Sequence, residues 1–101
     1  MSRKVIISKT AEKKLSKLFT YLLKDWNQKV KTDFVKKLDE NIETIRKTPD
    51  IFPESENKTG LHKCVITKQT TLFYRFNSKK IIIVTIFDTR QSPNKLKKDI
   101  D

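Results

Sequence analysis

Several things that mark common functions are scarce in this sequence. There is one glycine, Gly60, so no Gly-rich loop can cradle a phosphate. The single cysteine, Cys64, excludes an internal disulfide and a cysteine-cluster metal site. A reducing cytoplasm is the simplest setting for it. His62 is the only histidine, and no metal-ligand cluster, cofactor motif or nucleophile motif is visible. No apolar run approaches the length that spans a bilayer, so no membrane role is expected. The N-terminus runs from Met1-Ser2-Arg3-Lys4 straight into a strand-like segment, which does not read as a signal peptide. Acids are scarce too: 12 Asp and Glu stand against 23 Lys and Arg, a formal net charge of +11. That imbalance opposes compaction by self-repulsion and favours negatively charged partners, whether nucleic acid, a nucleic-acid-bound machine or an acidic protein. Lysine dominates the excess. The arginines are Arg3, Arg46, Arg75 and Arg90, and the last two fall among predicted strands. Arginine is the better residue for planar contacts with phosphate or carboxylate, so these two stand out.

What the sequence does have is clear periodicity. Residues 70–93 read as two adjacent strands. Leu72, Phe73, Tyr74 and Phe76 lie in the first, and the β-branched run Ile81-Ile82-Ile83-Val84 with Ile86 and Phe87 in the second. The polar turn 77–80 joins them. The second run is apolar at consecutive positions, as in a strand buried on both faces at the centre of a sheet. It ends abruptly in Asp88-Thr89-Arg90-Gln91-Ser92-Pro93, a polar element at a strand end where function often sits.

The rest of the chain follows in order. Residues 4–8 predict a short strand, with Ser8 or Thr10 capping what comes next. Leu15, Leu18, Phe19, Leu22, Leu23 and Trp26 recur at three- and four-residue intervals, predicting a helix over 11–26 with Trp26 packed inside. Val30, Phe34, Val35, Leu38, Ile42 and Ile45 predict a second helix over 27–47, ended by Thr48-Pro49. The short gap makes the two an antiparallel hairpin. In the irregular segment 49–60, Ile51 and Phe52 are expected to tuck inward and residues 54–57 to face water. Residues 61–67 predict a third strand, and 94–101 a polar, lysine-rich tail.

The length fits a single domain over 1–101. The fold class is α+β: an N-terminal strand, a helical hairpin, then a three-stranded antiparallel meander, with both helices on one face of a four-stranded sheet. The other face is expected to be more exposed and to carry polar side chains. Strand alternation puts Lys63 opposite His62 and Cys64, and Arg75 opposite Tyr74 and Phe76, which point to the helices.

This order of parts resembles the RelE/ParE superfamily of toxins from bacterial type II toxin–antitoxin modules. The residues that carry it are Val5-Ile6-Ile7 with Ala11-Glu12, the loop from Ile45 through Pro49 to Phe52-Pro53, and Gly60-Leu61-His62-Lys63. Above all they are Leu72-Phe73-Tyr74-Arg75-Phe76 and Ile83 through Gln91. The resemblance implies a growth inhibitor held in check by a small acidic antitoxin, with no cofactor. RelE-like members cut mRNA on the ribosome, which requires groups that hold the phosphate and move protons. His62, Lys63, Arg75 and Arg90 stand at matching places. Strand two, however, has His62-Lys63 where an arginine is usual, and neither Tyr nor His follows Arg90. ParE-like members bind and poison DNA gyrase and need no catalytic set. Arg75, Arg90, Gln91 and Lys63 would then be target-binding residues, and the sequence tilts to this side. An inactive homologue, or a basic nucleic-acid-binding module, is the third reading.

Overall fold

The computed structural model describes residues 3–56 and 58–89. Strand β1 spans Lys4–Ile7, helix α1 Lys9–Tyr21 and helix α2 Gln28–Lys47, with a π-helical turn, Leu22–Trp26, between the helices. Strands β2 (His62–Val65), β3 (Thr70–Phe76) and β4 (Lys80–Asp88) complete the fold. The sheet order is β1-β4-β3-β2, with β1 parallel to β4 and the other pairs antiparallel. The α+β architecture read from the sequence is the one found, and the apolar run 81–87 lies at the sheet's interior in β4.

Ser8 makes the corner between β1 and α1. Its hydroxyl accepts from the Ala11 amide at 3.0 Å and donates to the Val84 carbonyl at 2.6 Å. One side chain thus caps the helix and ties it to the central strand. The pairing of β3 with β4 slips at this level: Tyr74 opposes Ile83 and Phe73 opposes Thr85, leaving Val84 as an extra residue. Such a bulge increases local twist. Asn27, in extended conformation, caps α2 by accepting from the Val30 amide at 2.9 Å. The polar turn after β3 is held by Asn77, whose side-chain oxygen accepts from the amides of Lys79 and Lys80.

The main core lies between helices and sheet. Ala11, Leu15, Leu18, Leu22, Phe34, Leu38 and Ile45 meet Cys64, Leu72, Tyr74, Ile81, Ile83 and Ile86. Phe19 and Phe34 pack edge to face across the helical hairpin. A second cluster occupies the other face: Leu61 and Phe73, both buried, with Val84 and Phe87 against them. That face is therefore less polar than its strands' turn-side residues suggested, because β4 is apolar on both sides and its outer residues need cover.

Four side chains differ from the sequence reading, the first being Leu23, placed on the apolar stripe of the first helix and found exposed. Trp26 is 52% exposed instead of packed. It closes the π-helical turn between the two helices, a turn whose buried residue is Leu22. Ile51 is exposed while Phe52 packs on the core. Ser55, expected in water, is buried, because the segment 53–55 runs along the outer edge of β2. The Lys63 amide bonds the Pro53 carbonyl at 3.0 Å, and Glu54 forms a bridge with His62.

Candidate functional site

Strand β2 distributes the candidate residues. Its register sets His62 against Tyr74 and Lys63 against Phe73. Tyr74 belongs to the core beneath the helices and Phe73 to the cluster on the far face. His62 consequently lies on the helix side and Lys63 on the far side.

His62 is held on three sides. Its ring stacks on Tyr74, with centroids 5.4 Å apart, and tilts against Phe76 at 5.1 Å. Its Nδ1 is 2.7 Å from the Phe52 carbonyl oxygen. A carbonyl only accepts, so Nδ1 carries the proton of that bond. The imidazole fastens the 49–54 segment to the sheet. The guanidinium of Arg3 lies over the Phe76 ring, 5.8 Å from its centroid, and Arg3 Nε donates to the Asn77 carbonyl at 2.7 Å. Behind His62, the Tyr74 hydroxyl donates to the Pro49 carbonyl at 2.6 Å. Burial pushes the Tyr74 phenol above its ordinary range, and the neighbouring Cys64 and Asp50 add to the shift.

Lys63 and Arg75 share the far face. Arg75 stands two residues along β3 from Phe73, the cross-strand partner of Lys63, so the two cations are diagonal neighbours. Arg75 pairs with Ile82 in the register and lies against the turn at Gly60, where an added Cβ would stand 3.9 Å from its Nη1. Gly60 itself has φ 82°, the left-handed region where a side chain is strained. Both cations are part-buried and share the face of the cluster formed by buried Leu61 and Phe73 with part-buried Val84 and Phe87. Among the described residues no cluster of three or more His, Cys, Asp or Glu is placed to hold a metal.

The polar end of β4 divides. Asp88 is not a free functional carboxylate: it is 5% exposed, and the Thr70 hydroxyl donates to it from the paired position on β3. The Thr89 amide donates to the Gln69 carbonyl at 2.8 Å. Arg90 and Gln91 lie outside the described residues. The structure therefore brings Lys63 and Arg75 together and separates both from His62 by the sheet itself.

A second surface was not singled out from the sequence. Ile7, Glu12, Leu15, Ser16 and Phe19 line an open, largely apolar groove of ≈ 340 Å³ between β1 and α1. The Lys31 ammonium sits over the Phe19 ring at 5.5 Å, and Leu23 and Trp26 are exposed in the turn that follows. The signal was present as the breadth of the α1 stripe, which is too wide for one sheet face to cover.

The family profile described as the ParE toxin of the type II toxin–antitoxin system parDE matches residues 5–93. No match to a curated protein was found. Among solved structures, the chromosomal ParDE toxin–antitoxin system from P. aeruginosa is similar at a TM-score of 0.70 and 13% identity, over 86% of this chain and 96% of that one. The YoeB dimer from Staphylococcus aureus is similar at 0.61 and 19% identity, over 86% and 97%. The E. coli DinJ–YafQ toxin–antitoxin complex is similar at 0.63 and 11% identity, over 91% and 98%. At these identities the structural likenesses show a shared fold. Among the described residues no helix is long and apolar enough to cross a membrane.

Proposed function

The chain belongs to the ParE toxin family of type II toxin–antitoxin systems, and on that premise we propose that it halts growth by binding DNA gyrase, without cutting mRNA. One observation carries the choice of mechanism: His62 faces the helices, while Lys63 and Arg75 face the other way. Cleavage of RNA by general acid–base catalysis needs a proton carrier and phosphate-holding cations within reach of the same phosphate. Here the one histidine is engaged with Phe52, Tyr74 and Phe76, and the cations stand across the sheet from it. Two part-buried cations side by side on one sheet face suit a protein surface of opposite charge, where the charges orient the encounter. Arg75, Lys63, Arg90 and Gln91 are the binding residues in this reading, the last two directly following Thr89.

The same premise gives an antitoxin partner, a small acidic protein with an amphipathic helix. The groove of Ile7, Leu15 and Phe19 is the proposed seat for that helix. It is apolar at its floor, Lys31 lies beside it, and the whole chain is strongly positive.

Two assays test the mechanism, one on induced cells and one on the purified protein. Primer extension on cellular mRNAs is expected to show no new ends within codons. The purified protein is expected to inhibit supercoiling by gyrase or to trap its cleaved DNA complex. Cuts within translated codons would sink the gyrase reading and restore the ribosome-dependent nuclease. Growth with neither effect would leave an inactive homologue or a binding module.

A further inference from the structure

The two helices carry charge differently. Within α2, lysines alternate with Asp33, Asp39, Glu40 and Glu43, and Arg46 and Lys47 occupy the last turn, where the helix dipole favours cations. In α1, Lys9, Lys13 and Lys17 follow one another at four-residue intervals, all exposed, with Glu12 as the helix's one acid and Ser16 and Thr20 exposed alongside. Lys24 is exposed in the turn beyond. Among the described residues, none of these four lysines forms an ion pair. Lys9 stands in the first turn of α1, where the dipole disfavours a cation, and the last turn has no basic residue. Like charges four apart also destabilise a helix. Glu12 in the first turn offsets part of this cost, but the one acid does not balance the row of lysines, so helix stability does not account for the row.

Four residues of helix rise roughly 6 Å, so the three ammonium groups form a row about 12 Å long. The face between them is hydroxylic and offers no apolar anchor, unlike the adjoining groove of Ile7, Leu15 and Phe19. A protein partner draws its affinity from such anchors. A polyanion with closely spaced charges does not need them, since it is held by counterion release and by Lys and hydroxyl contacts to phosphate.

We propose that the outer face of α1, with Lys9, Lys13 and Lys17 at its centre, is a sequence-independent contact for the phosphate backbone of a nucleic-acid duplex. It points away from the sheet. A duplex held there leaves Lys63 and Arg75, on the far side of the sheet, free for a protein target. The contact does not depend on which target that is.

The test measures binding of the full chain, without antitoxin, to a mixed-sequence DNA duplex and to the corresponding RNA duplex over a range of salt. Wild type is expected to bind at low salt with a steep, linear loss of log affinity against log salt. The variant Lys9→Gln/Lys13→Gln/Lys17→Gln is expected to flatten that slope by about two to three and to weaken low-salt affinity about tenfold or more. Lys13→Gln/Lys17→Gln serves if the triple variant does not fold, with a slope change of about one to two. A control, Lys36→Gln/Lys37→Gln/Lys47→Gln, removes the same charge from α2 and is expected to keep nearly the wild-type slope. Binding to DNA alone, RNA alone or both supports the contact and identifies its source. No binding by wild type, unchanged binding by the α1 variants, or equal losses in the α1 and α2 triple variants would each overturn it.

Discussion

His62 and Lys63 are adjacent in the chain and lie on opposite faces of the sheet. His62 packs on Tyr74 and Phe76 beneath the helices, and Lys63 stands opposite Phe73 on the far face. The pleat that separates them assigns them different work. His62→Gln is expected to preserve growth arrest while lowering stability by about 1–2 kcal/mol, through the lost packing and the disturbed bond to Phe52. Lys63→Ala with Arg75→Ala is expected to do the reverse, abolishing growth arrest with little change in melting temperature. Arrest after induction and thermal melts of the purified variants check both. Loss of arrest in a folded His62→Gln protein would return the histidine to the chemistry.

Arg90→Ala carries the same expectation as the Lys63 and Arg75 pair, because it follows directly on the β4 end that Thr70 and Gln69 hold in place. Growth arrest should disappear and the melting temperature should stay within about a degree or two of wild type. Undiminished arrest would remove Arg90 from the site.

Ser8→Ala deletes a helix cap and a bond to the β4 bulge in one step. The expected loss is about 1–3 kcal/mol, the cap and the buried carbonyl's lost donor together. Urea unfolding should show a lower midpoint with an unchanged slope. Ser8→Thr keeps the hydroxyl and should recover most of the difference.

Stability should fall at alkaline pH. Burial pushes the Cys64 thiol up to about 11 from an ordinary 9.0, and pushes the Tyr74 phenol up as well. Both raised groups hold their protons more tightly in the folded state. Their contribution is complete below the unfolded values and is lost as pH rises through the window above about 9, at up to about 1.4 kcal/mol per pH unit for each group. Melting temperatures of wild type and Cys64→Ala between pH 8 and 11 check this. The variant should be less stable overall but should decline less steeply between pH 9 and 10.

Trp26 is the sole tryptophan, and it is half exposed. Its emission should already be that of a solvated indole in the native protein, acrylamide should quench it readily, and unfolding should shift its maximum little. A blue-shifted native emission that moves strongly red on unfolding would mean that the residue is packed.

Much of this protein is fixed by local pattern. The apolar spacing of α1 and α2, the caps at Ser8 and Asn27, the β-branched run of β4 and the turn at Asn77 act over a few residues, and the elements follow from them. Strand alternation alone also set Lys63 and Arg75 opposite His62 and Tyr74. Other features depend on what each element meets. The π-helical turn that exposes Trp26 arises where α1 must hand over to α2, and no periodicity marks it. The burial of Ser55 and Leu61 comes from a loop laid along β2, which is a long-range pairing. Whether Asp88 served as a functional carboxylate or a buried tie to Thr70 rested on the β3–β4 register, fixed by a bulge at Val84. The one-signed row of lysines on α1 is written in the sequence, but its isolation from the far face needed the sheet to be placed between them. Charge and periodicity are properties of neighbouring residues; separation and burial are properties of the packed whole, and only packing sets them.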